Sequence, residues 1–132
     1  MRLRFDEREL SLLRAAEQVR GASLAHNPRP EVLRSALALA RAGHKLAHAA
    51  PRTSVVLEEP ELQLLVEAVK FAADEVHWVG DQAHAAQSAA SNRRSTVLTA
   101  FPELAEKGLW RTFGVCRELE ALRARLQRAL SS

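Results

Sequence analysis

Asp74, His77, Asp81 and His84 repeat the pattern Asp-x-x-His, and His44 and His48 stand four positions apart. Imidazole nitrogens and carboxylates one helical turn apart can share a divalent metal, as the Glu-x-x-His pairs of di-iron bundles do. Angular position decides whether such a set is a site. At about 100° per residue, positions 74, 77, 81 and 84 fall roughly 80° to 160° from Val76, which lies on the apolar seam of the same segment. That is the flank or solvent side of a helix, where Asp and His form local ion pairs. Metal binding at Asp74, His77, Asp81 and His84 is therefore the lesser alternative, and no cofactor is expected. His44 falls on an apolar seam, but Lys45 follows it where a His-Glu-x-x-His zinc helix carries glutamate. A histidine satisfied within the core is the simpler reading.

Nucleophilic and phosphate chemistry lack their parts. There is no Gly-x-x-x-x-Gly-Lys loop, no Gly-x-Ser-x-Gly elbow and no histidine pattern around the single cysteine, Cys116. Cys116 cannot form an internal disulfide and reads as a small core residue. The chain is expected to bind rather than to catalyse.

Arginine chemistry is better represented. Nineteen Lys and Arg stand against sixteen Asp and Glu, for a net charge of +3. The surplus is uneven: residues 1–52 carry ten basic and five acidic groups, 53–91 carry one and seven, and 92–132 carry eight and four. Basic ends around an acidic middle suit two arrangements. The ends dock on a polyanion, or basic and acidic helices lie side by side within a bundle or across a dimer.

The elements that must position these groups show themselves in a repeat. At an offset of 52, Leu3 aligns with Val55, Phe5 with Leu57, Glu7 with Glu59, Glu9 with Glu61, Leu10 with Leu62, Leu13 with Leu65 and Ala16 with Ala68. Each copy opens on a few alternating residues, which suit a short strand with one apolar face. Each continues into a helix whose first turn is acidic, with Asp6 as N-cap in one and Pro60 early in the other.

The first helix is expected to end near Arg20 and Gly21, before the breaker loop AHNPRP. A second helix should run from about Pro30 to Ala49, with Leu33, Leu37, Ala40, His44 and Ala47 as its seam at steps of 4, 3, 4 and 3. In the second copy the seam is longer, running from Leu62 through Leu65, Val69, Ala72, Val76 and Val79 to Ala83, Ala86 and Ala90. QSAASNRRST reads as a loop, and a last helix carries Leu109, Phe113, Cys116, Leu119, Leu122 and Leu126 on its apolar face. Trp78 and Trp110 flank these seams, beside the core or at a partner interface.

With 47% apolar and 27% charged residues, these elements are expected to form one domain over residues 1–132. The fold class is all-α: a bundle of about four helices with two short extended segments and a duplicated strand–helix unit, divided near residues 52 and 53. No apolar run approaches the roughly 20 residues of a membrane span, and Arg2 and Arg4 lead directly into acids rather than into a signal-peptide core. A cytoplasmic protein without membrane contact is expected.

Residues 1 to about 45 resemble the ribbon-helix-helix DNA-binding family. RLRF stands for the strand, ELSLLRAAEQVRGAS for the first helix and its Gly-x-Ser turn, and EVLRSALALA for the start of the second helix. LAHNPRP makes a longer turn than the family keeps. The resemblance implies a homodimer whose N-terminal strands pair and enter the major groove of double-stranded DNA. Arg2 and Arg4 would then read bases, while Leu3 and Phe5 face the core. Ser54 and Val56 occupy the matching positions of the second copy and lack that chemistry. Arg29, Arg93, Arg94, Arg111, Arg117, Arg123, Arg125 and Arg128 are the expected phosphate contacts. A protein-interaction or scaffold module is the alternative.

Overall fold

The computed structural model describes residues 1–81 and 91–131, apart from the side chains of Ser91, Lys107 and Leu109. The chain opens with β1 (Arg2–Arg4), in which Leu3 turns inward between two exposed arginines. Phe5 continues the inward side and is 1% exposed. Asp6 then starts α1 (Glu7–Ala25) through a capping box: its carboxylate accepts from the Glu9 N–H at 2.7 Å, and Glu9 Oε1 accepts from the Asp6 N–H at 3.0 Å. Pro30 begins α2 (Pro30–Ala47), where its missing N–H is harmless. Arg14 of α1 closes the far end of α2 by donating to the carbonyls of Leu46 and Ala49.

A turn holding Arg52 at φ 65° leads into β2 (Ser54–Val56). The start of α3 (Glu59–Asp81) repeats half of the first cap, the Glu58 N–H donating to Glu61 Oε1 at 2.9 Å. Later come α4 (Ser91–Ala100), α5 (Pro102–Lys107), a 3-10 turn (Leu109–Arg111) and α6 (Thr112–Ser131).

The strands pair antiparallel within the chain, Arg2 opposite Val56, Leu3 opposite Val55 and Arg4 opposite Ser54. Beneath them α1 and α3 lie against each other, α2 packing chiefly on α1 and α6 chiefly on α3. Leu10, Leu13 and Ala16 meet Leu62, Leu65, Ala68, Val69 and Ala72 at the centre, all 1% exposed or less. Leu39, Ala42 and Leu46 close one side and Leu119, Leu122 and Leu126 the other. Two glycines permit the closest helix approaches: a Cβ on Gly43 would come within 2.6 Å of Glu17 Cδ, and one on Gly80 within 2.7 Å of Thr112 Oγ1.

The fold is all-α, with six helices and one two-stranded sheet among the described residues. Six replace the expected four because the segment before α6 folds into two short helices. Part of the expected loop, Ser91–Thr96, is helical in α4, which buried Val97 and the following Phe101 anchor to the core; residues 87–90 lie outside the described residues. Helix α1 passes Gly21 and ends four residues later, held by buried Leu24. The α3 seam is buried from Leu62 to Val79. Ala83, Ala86 and Ala90 lie outside the described residues.

Two apolar faces differ from expectation. Helix α2 buries Leu39, Ala42 and Leu46, while the expected seam of Leu33, Leu37, Ala40, His44 and Ala47 faces solvent. It carries two apolar stripes, and the one beside Gly43 allows the closer approach to α1. In α6, Phe113 is 73% exposed because the chain breaks at Gly108 (φ 86°) and passes through the 3-10 turn before α6 begins. Thr112, Val115, Leu119, Leu122 and Leu126 take the inward positions instead. No described helix is long and apolar enough to cross a membrane.

Candidate nucleic-acid interface

Strand alternation gives the ribbon two faces. Leu3 and Val55 turn inward, whereas Arg2, Arg4, Ser54 and Val56 are exposed on the other side. Backbone bonds from Arg52 N to the Phe5 carbonyl (2.8 Å) and from Leu57 N to the Met1 carbonyl (2.9 Å) fix both ends of the pair. The guanidiniums of Arg2 and Arg4 have no partner among the described residues.

Two cations hold the strand–helix junctions beneath this face. Arg125 of α6 bonds Glu9 and the Arg4 carbonyl and lies 5.2 Å over the Phe5 ring. Lys45 of α2 bonds Glu61 at 2.6 Å and the Val56 carbonyl at 3.3 Å. Arg4 and Val56 are 52 positions apart in the chain, and so are Glu9 and Glu61. Burial alone would raise the Glu61 carboxyl, but the Lys45 ammonium and the Glu58 N–H outweigh it and hold the group below the usual carboxylate range.

Three of the expected phosphate contacts are committed inside the molecule. Besides Arg125, Arg93 makes a forked pair with buried Glu75, one Nε contact being 2.8 Å, and lies 3.8 Å over the Trp78 ring. Arg111 pairs with Glu103 and Glu118. Arg8 joins the same two carboxylates, at 2.6 and 2.9 Å to Glu118 and 2.7 Å to Glu103, linking α1 to α5 and α6. The bonds from Arg8 hold the Glu118 carboxyl below its usual range against the opposing effect of burial. These arginines tie helices together, which composition alone could not reveal because their acids lie far away in sequence.

Arg2, Arg4, Arg29, Arg94, Arg117, Arg123 and Arg128 have no polar side-chain partner among the described residues. They do not form one surface. Arg29 stands at the start of α2, about 25 Å along the helix from the Lys45 end that touches the ribbon. Arg94 rides on α4, whose Arg93, Thr96 and Val97 line a cavity with Val19, Ala22 and His26 near the opposite end of α1. Arg128 follows Arg125 by three positions and so belongs to the ribbon end, while Arg117 and Arg123 lie farther back along α6. Exposed Arg52, at the ribbon's edge, is a candidate that the sequence reading missed; its place directly before the second strand was the available signal.

The Asp and His set stays in solvent. Asp74, His77 and Asp81 are exposed, with His77 Nε2 3.4 Å from Asp81 Oδ2, and His84 lies outside the described residues. No group of three His, Cys, Asp or Glu that could hold a metal occurs among the described residues. His44 is on the surface rather than in the core, its ring 4.3 Å from that of His48. Cys116 is half-buried with its Sγ 3.5 Å from the Ala73 carbonyl, and burial, with Glu120 and Asp74 nearby, pushes the thiol up and away from nucleophilic reactivity. No family model, curated protein or solved structure matches the chain.

Proposed function

We propose that this chain is a non-enzymatic DNA-binding protein whose ribbon enters the major groove, and that it joins two strand–helix–helix units, β1-α1-α2 and β2-α3-α6, in one polypeptide. The observation that carries the DNA reading is the solvent face of the ribbon, where Arg2 and Arg4 stand exposed and unpaired. Arginine on such a face can bond guanine edges bidentately.

The fused-unit reading rests on exchange. The strand register is symmetric about the Leu3–Val55 pair. The second helix of each unit reaches across to the strand and helix start of the other, Lys45 to Val56 and Glu61, Arg125 to Arg4 and Glu9. Reciprocal contacts of this kind are what a two-fold axis generates between subunits. Buried Leu39, Ala42 and Leu46 recur 80 positions later as Leu119, Leu122 and Leu126, in keeping with equivalent second helices. The pairing that the family resemblance assigns to a homodimer is thus available within one chain, and the reading needs no second copy.

Base contacts on this reading come from one strand only, since Ser54 and Val56 face outward from the other. A single chain would meet an asymmetric site, with Arg52 and Arg128 on the flanking phosphates. Fluorescence anisotropy of duplex DNA across a salt series tests it. Arg2→Ala/Arg4→Ala should weaken binding and flatten the salt dependence by about two counterions. No binding by the wild type at low salt would refute the proposal. A second reading, a protein-interaction module, is favoured by the apolar surface of α2, whose Leu33 and Leu37 are 42% and 63% exposed.

A further inference from the structure

The outward side of α2 combines two features that the DNA reading leaves unused. Leu33, Leu37, Ala40, His44 and Ala47 keep the alternating 4 and 3 steps of a coiled-coil seam, yet every one of them is exposed. Arg34, Arg41 and His48 recur at seven-residue steps along one flank of that seam, also exposed. They occupy the positions where paired helices exchange charges. The other flank, Ala36 and Gly43, turns towards the body of the protein. A partner helix must therefore lie over the leucines on the arginine side.

We infer that this face docks an amphipathic helix of a partner protein, one with an apolar heptad seam flanked by Glu or Asp. Charge selects that occupant. The only acid of α2, Glu31, is about 120° around the helix from Leu37. A second copy is poorly suited, because antiparallel pairing sets Arg34 against Arg41 and parallel pairing sets Arg29 against Arg34. Two partly exposed leucines offer little apolar area to a lipid surface, whose hold scales with the area buried. The small side chains of Ala40 and Ala47 let a helix approach closely, and a nucleic acid backbone would leave the leucines without a role. The inference stands apart from the ribbon, and the arginines it uses are different ones.

The test is a fluorescein-labelled peptide of three heptads, with leucine at both seam positions and glutamate at both flanking positions. Repulsion between its glutamates keeps it from pairing with itself. A second peptide carries lysine at the flanks. The wild type should bind the acidic peptide and discriminate against the basic one. Leu33→Ser/Leu37→Ser should weaken binding on the order of tenfold, without changing the circular dichroism melt, because both leucines are on the surface. Arg34→Glu/Arg41→Glu should reverse the preference, and Arg2→Ala/Arg4→Ala should leave it unchanged.

Acidic-peptide binding that survives the serine substitutions would overturn the proposal, showing charge attraction without a seam. So would a dimer in sedimentation that those substitutions dissolve, which would assign the face to a second copy. Binding to phosphatidylserine vesicles that depends on Leu33 and Leu37, with no peptide binding, would assign it to a membrane and overturn the proposal equally.

Discussion

The two strand–helix junctions are held by different cations, and the difference sets how firmly each end of the ribbon is fixed. At the first, the Arg125 guanidinium serves Glu9 and the Arg4 carbonyl together while covering the Phe5 ring. At the second, Lys45 reaches Glu61 and the Val56 carbonyl with a single ammonium and stacks on no ring. Arginine's planar fork is suited to several fixed acceptors and to an aromatic face, whereas lysine acts as a mobile point charge. The better-fixed junction is the one that carries Arg2 and Arg4. Precise placement matters more for side chains that must meet base edges than for Ser54 and Val56.

Below the junctions the two regions should be equivalent, and truncating their cores is the most severe way to break the comparison. Leu13 and Leu65, 52 positions apart, are both 0% exposed in the shared core. Leu13→Ala and Leu65→Ala should each cost about 2 to 5 kcal/mol, the usual range for a buried leucine that leaves a cavity. Urea unfolding would show a single transition with a lowered midpoint for both. If one variant lost its stability in a separate early phase, the two regions would be independent domains rather than one core.

Smaller effects are expected from the junctions, and there the two regions should differ. Arg125→Ala removes an ion pair, a backbone cap and a ring contact and should cost about 1 to 3 kcal/mol. Lys45→Ala removes a partly exposed pair and should cost at most about 1 kcal/mol. Hydrogen exchange sharpens the distinction: Arg125→Ala should raise exchange at the amides of β1, and Lys45→Ala at those of β2. Equal losses for the two variants would mean that the arginine fork adds nothing to a point charge.

Most of the framework was legible in the residues. Alternating Arg2-Leu3-Arg4 and the acids after it announced a strand and a helix start, and the 52-residue offset anticipated the placement of Leu10 with Leu62 and Leu13 with Leu65. The seam from Leu62 to Val79 proved buried throughout. What could not be read was which of two apolar stripes α2 would bury, because Leu33 and Leu37 are as apolar as Leu39 and Leu46. The choice depends on Gly43 and Glu17, which meet only in the fold. Nor could free arginines be told from engaged ones: Arg93 and Arg94 are neighbours in sequence, yet one is forked onto Glu75 and the other is unpaired.

Glu17 supplies the smallest expected difference between the regions. At the equivalent position of the second lies Val69, which is fully buried, whereas Glu17 places a half-buried carboxyl under Gly43 with no bonding partner among the described residues. Burial pushes its pKa up. A carboxyl whose folded pKa lies above its unfolded value favours folding when protonated. That contribution is complete below the unfolded pKa and is lost as pH rises through the folded one. Glu17→Gln keeps the shape and removes the charge, so the variant should match the wild type in acid and exceed it slightly at neutral pH. Glu61 and Glu118 slope the other way, since their pKa values are lowered and their pairs fail as pH falls. The informative quantity is therefore the difference between variant and wild type in melts from pH 4 to 8, where those slopes cancel. A difference independent of pH would mean that Glu17 is solvated enough to ionise at no cost, and that α1 and α2 close over it as freely as α3 closes over Val69.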